Sequence, residues 1–119
     1  MKEDYITILV CEPQNDMYVT KIKNDYEVIR DLVGGYIECI SPFSDMKVDL
    51  VCNEEGKLNG LKPNRYLIDR KTKEHYDVLV GTFFLVSFDD EGNFASLTDE
   101  QIEKIKSENR VTISSVWFQ

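Results

Sequence analysis

YDVLVGTFFLVSF, residues 76–88, is the most apolar run of the chain, and its reading decides the fold. β-Branched and aromatic residues dominate it, as they do in pleated, buried segments. One long central strand with a kink or bulge at Gly81 is the expectation. The run is far short of the roughly 20 residues that cross a bilayer.

Downstream, Gly92 and Asn93 mark a turn. Leu97, Thr98, Gln101 and Ile102 then meet the spacing of a hydrophobic staple and a capping box, with Ile105 continuing the apolar face of a helix. The closing RVTISSVWF, residues 110–118, is rich in strand formers. Residues 109–119 could therefore close a sheet edge or form a tail that pairs with another chain.

Upstream, residues 36–43 and 46–52 read as a hairpin with its turn around Pro42, Ser44 and Asp45. Before them, Asn24 stands at an N-cap position with Glu27 three residues on, Tyr26, Ile29 and Val33 recur at helical spacing, and Gly34 and Gly35 end the helix. Ile6 to Glu12, stopped by Pro13, pairs with a second strand at residues 17–23. The expected fold is α+β: a single domain over residues 1–119, in two layers, with a mixed or mainly antiparallel sheet of about five strands and two helices.

The chain has 119 residues, 42% of them hydrophobic, which suffices for one core. With 30% charged residues and 11% aromatics it has the composition of a folded, water-exposed domain. The start MKEDYITILVCEP lacks the pattern of an export signal, so a cytoplasmic location is expected, with no membrane contact. Cys11, Cys39 and Cys52 share no short spacing, which favours neither a disulfide framework nor a zinc knuckle. Each lies in an apolar stretch and is read as a buried thiol.

Charge is segregated. Residues 57–73 hold six of the 14 Lys and Arg and one of the 22 Asp and Glu, a net of +5. The remainder carries eight bases against 21 acids, or −13, beneath an overall −8. Such separation steers partners of opposite sign to each patch.

The catalytic inventory is short. His75 is the single histidine and no serine or cysteine stands near it in a nucleophile motif. A hydrolase built on His75 and neighbouring acids is the weakest of the functional readings, and no catalytic residue is assigned. Residues 89–100, DDEGNFASLTDE, place acids at calcium-loop spacing, but the sixth position is Phe94 where the sharp turn needs glycine, so a solvated turn before a helix cap is preferred and no metal or cofactor is expected. There is neither GxxxxGK[ST] nor GxGxxG.

Two surfaces remain. In the basic segment, Asn53, Lys57, Asn59, Gly60, Lys62, Asn64 and Arg65 could grip a small anion such as a nucleotide, because glycines admit the backbone and the cations supply donors. The same residues also suit a solvated connection that balances nearby acids. Asp89, Asp90, Glu91, Asp99, Glu100 and Glu103 could instead form an acidic face that imitates the phosphates of a nucleic acid towards a basic partner protein. Direct nucleic-acid binding is disfavoured by the −13 remainder.

LVGGYIE (32–38), CNEEGKLNGLKPNR (52–65), VGTFFLV (80–86) and LTDEQIEKI (97–105) resemble, in order, the blocks of the domain of unknown function numbered 3846, a family carried by phages and conjugative elements of bacteria. The resemblance implies a genetic setting and no mechanism. In that setting the expected role is a non-enzymatic accessory protein that counters host defence by binding a defence or nucleic-acid-processing protein through its acidic face, alone or as an oligomer. The small-anion module is the alternative.

Overall fold

The computed structural model of the chain describes residues 3–43, 45–69 and 71–115. Nine strands and two helices follow in the order β1 (Tyr5–Cys11), β2 (Tyr18–Lys23), α1 (Tyr26–Val33), β3 (Ile37–Ile40), β4 (Val48–Asn53), β5 (Pro63–Ile68), β6 (His75–Val80), β7 (Phe83–Phe88), β8 (Phe94–Ala95), α2 (Asp99–Thr112) and β9 (Ile113–Ser115). The class is α+β, as the sequence indicates, and every strand pair among the described residues is antiparallel. The main sheet runs β2-β1-β7-β4-β3 with β8 beside β7, and a second sheet runs β6-β5-β9.

The decisive run is therefore two strands in two sheets, not one strand with a bulge. Gly81 takes φ +73, a left-handed conformation that glycine adopts without a Cβ penalty. Its N–H donates to the Lys62 carbonyl at 2.7 Å. The chain turns a corner there, and residues on either side part company.

β7 then occupies the centre of the main sheet, and Phe83, Phe84, Leu85, Val86 and Ser87 are all buried. Its lack of alternation has a simple cause: both faces of the sheet are covered. Phe84 and Val86 join Ile6, Ile8, Val10, Val51 and the α1 residues Ile29 and Val33 on one side. Phe83 and Leu85 join Leu9, Leu50, Leu67, Leu79, Ile102 and Ile105 on the other, where the second sheet and α2 lie. The second sheet thus makes a further layer, and its three strands, with the short β8 beside β7, account for the excess over the expected five.

The local signals fare differently. α1 is capped by Asp25, whose carboxylate accepts from the Glu27 N–H at 2.8 Å, and not by Asn24, whose amide donates to the Glu3 carbonyl. Tyr26 lies outside the buried stripe, while Gly34 ends the helix at φ +82. The capping box of α2 forms as read: Gln101 N–H meets Thr98 Oγ1 at 3.1 Å and Thr98 N–H meets Gln101 Oε1 at 2.9 Å. Of the C-terminal segment, residues 109–112 continue α2 and are not strand, residues 113–115 pair with β5 and close one edge of the second sheet, and residues 116–119 lie outside the described residues.

The cysteines divide. Cys11 and Cys52 are buried, and burial pushes both thiols up to about 12. Cys39 is exposed on β3, against the expectation of three core thiols. Its pKa is also raised, first by partial burial and then by Asp49 and Glu38. A small maleimide should accordingly modify one thiol per folded chain, faster as the pH rises because the thiolate is the nucleophile. Mass spectrometry of the digested adduct should find the label on Cys39 alone; early labelling of Cys11 or Cys52 would contradict their burial.

Candidate functional site

The seven residues of the basic segment do not share one surface. Asn53 is 8% exposed, and its amide spans α1 and the following loop, donating to the Val33 carbonyl and accepting from the Glu55 N–H. Asn64 and Arg65 lie within β5 and are 0% and 3% exposed. Asn64 Nδ2 donates to the carbonyls of Cys11 (3.0 Å) and Gly81 (2.7 Å), and its Oδ1 accepts from Arg65 Nη1 at 2.8 Å. Arg65 Nη2 reaches the Asn15 carbonyl at 2.6 Å. Burial lowers the Arg65 pKa, opposed by Cys11 and Asp16. These three side chains are buried and bonded within the fold, where they tie the sheets and turns together.

Lys57, Asn59, Gly60 and Lys62 are exposed in the coiled loop between β4 and β5. Lys57 pairs with Asp77 at 2.6 Å and Lys62 donates to Gln14 at 3.3 Å. Arg65 borders a cavity of about 310 Å³ with Asp16, Met17 and Lys106. His75 is stacked on Tyr66 with ring centroids 4.2 Å apart.

The acidic residues lie on two elements, the β7–β8 turn and the start of α2. Asp89 is the exception in role: its carboxylate accepts from the N–H groups of Asn93 and Glu91 and so builds the β7–β8 turn. The Asn93 N–H, foremost, holds that carboxyl below its ordinary range. Asp90 and Glu91 project from the turn it shapes. Lys47 links this turn to α2, its ammonium pairing with Asp90 while its carbonyl receives Gln101 Nε2 at 3.5 Å. Asp99, Glu100 and Glu103 are exposed at the start of α2, where the helix N-terminus favours acids.

The turn also forms a wall. Gly92 and Asn93 line a trough of about 230 Å³ with Asn24, Tyr26, Ile29, Ile37 and Phe94, on the α1 face of the main sheet. On the opposite face a second cavity, about 260 Å³, opens between the two sheets. Ile40, Cys52, Leu58, Leu79 and Val80 supply its apolar lining, and Glu38, Glu54, Asp77 and Lys57 its charge. Three carboxylates against one ammonium make this cavity unsuited to an anion. Sequence reasoning missed both depressions, because each is assembled from segments far apart in the chain.

Among the described residues, no group of three or more His, Cys, Asp or Glu side chains could hold a metal ion, and no helix is long and apolar enough to cross a membrane. No curated protein and no solved structure matches the chain. A family model does, over residues 6–110, and it is described as a domain of unknown function, DUF3846.

Proposed function

Since the chain belongs to the DUF3846 family, whose description assigns no activity, we propose its role from its own surface: a non-enzymatic binding protein that docks on a basic partner protein. The observation that carries the reading is the trough walled by the β7–β8 turn. Tyr26, Ile29, Ile37 and Phe94 offer an apolar seat, and the exposed Asp90 and Glu91 directly precede Gly92 and Asn93 in the turn that walls it. Interfaces draw affinity from such desolvated seats and orientation from the charges at their rim. Tyr26 is 52% exposed, a large aromatic surface of the kind that partners cover.

In the mobile-element setting that the resemblance implies, the partner is a host defence or nucleic-acid-processing protein with a basic channel. The acids of the turn and of α2 would occupy it as phosphates do. Capture from a bacterial lysate identifies the partner, and titration measures it. Replacing Asp90 and Glu91 by lysine should weaken binding at least tenfold, roughly 1.4 kcal/mol or more, and raising salt should weaken the parent complex. Equal affinity in the folded double variant would remove the acidic turn from the interface.

A further inference from the structure

β3 ends the main sheet, and among the described residues no strand pairs with its outer side. The Tyr36 carbonyl accepts from the Glu54 N–H at 2.8 Å. Hydrogen-bonded pairs alternate along an antiparallel ladder, so residues 36, 38 and 40 bond inward to β4, and the backbone groups of Ile37 and Cys39 point outward. The opposite edge, β2, carries exposed Lys21 and Lys23, the usual protection against strand addition. β3 reads IECI and has neither lysine nor proline.

The two depressions flank this edge, one on each face. Ile37 lines the trough, whereas Glu38 and Ile40 line the cavity between the sheets. A strand laid along β3 would send successive side chains to alternate faces. A residue opposite Glu38 enters the inter-sheet cavity, and its neighbour lies over the trough.

We propose that the β3 edge binds an extended segment of a partner protein by strand addition, taking a lysine or arginine into the inter-sheet cavity and an apolar side chain into the trough. The chemistry of each depression selects its occupant. The inter-sheet cavity has an apolar lining for a long aliphatic stem and a charge excess of two carboxylates, since Lys57 is matched by Asp77. A cationic side chain suits both parts. The trough offers isoleucine and aromatic side chains. A second copy of this chain fits poorly, because it brings Glu38 to an edge already rimmed with acid and a net charge of −8. The inference rests on the binding reading above and shares its trough, but it adds the β3 edge and the inter-sheet cavity, which the acids of the turn do not line.

The test uses the whole chain and a blocked seven-residue peptide alternating valine with arginine. Fluorescence anisotropy should give a micromolar Kd, and amide exchange at Ile37 and Cys39 should slow on binding. Glu38→Lys should weaken binding at least tenfold. Cys39→Pro should do the same, since it removes an outward N–H and spares the β4 ladder; thermal melting checks that both variants fold. A peptide with glutamate for arginine, or one N-methylated on its β3-facing amides, should not bind. Failure of the arginine peptide, or binding that ignores both variants, overturns the inference. Concentration-dependent dimerisation abolished by Cys39→Pro would overturn the choice of occupant. If lysate capture depends on Asp90 and Glu91 while the peptide fails, the binding reading survives and the edge inference does not; the reverse result removes the acidic turn alone.

Discussion

Replacing Asn64 with leucine lowers the stability of the folded chain by about 3 kcal/mol, as the midpoint of a urea melt should show. The two side chains have similar volume, so the loss is not one of packing. Asn64 is fully buried, and its amide satisfies the carbonyls of Cys11 and Gly81 while receiving Arg65. Leucine removes a donor from two buried carbonyls and an acceptor from a guanidinium, each lost hydrogen bond costing about 1 kcal/mol. The three tied segments belong to β1, β5 and the corner before β7, so the variant loosens the junction of the two sheets. A loss below about 1 kcal/mol would mean that water reaches this junction.

Gly81→Ala carries the second large effect, about 2–3 kcal/mol, in the same measurement. A non-glycine residue at φ +73 costs roughly 1–2 kcal/mol. The added Cβ also stands 2.6 Å from Leu61 Cδ1, so the leucine must move. Gly60 separates the two contributions. It has φ +68 but no atom within 4 Å of its would-be Cβ, and Gly60→Ala should cost only the conformational part, about 1 kcal/mol. Equal losses at the two glycines would show that the approach of Leu61 is relieved freely.

The α+β class was legible because its signals are local: a Thr98 to Gln101 capping box, glycines after α1, β-branched stretches before turns. The corner at Gly81 was not. Bulge and corner look alike in VLVGTFF; what separates them is the Lys62 carbonyl that takes the Gly81 N–H, and sequence does not announce that meeting. β5 was missed for a related reason. Asn64 and Arg65 point inward there, and buried polar residues erase the pattern by which a strand is recognised.

Charge counts singled out the acids; in the structure Asp90 pairs with Lys47, and Asp89 is spent on the turn itself. In the basic segment a count of cations does not separate exposed Lys57 and Lys62 from Arg65, which is a buried brace. The edge of β3 carried no signal at all, since a strand's place in a sheet is set by its neighbours and not by its own residues.

The position of β7 bears on how the chain reaches this structure. Leu85 pairs with Leu9 on one side and Leu50 on the other, so the strand that joins the two early hairpins is made long after both. The β1–β2 and β3–β4 hairpins must wait, each with an open inner edge, until a late segment inserts between them. Contacts of such sequence separation slow folding, because loop closure precedes any reward from pairing. The slow step expected from this topology is the insertion of the most apolar segment into that gap, and until then the segment is exposed to association with other chains.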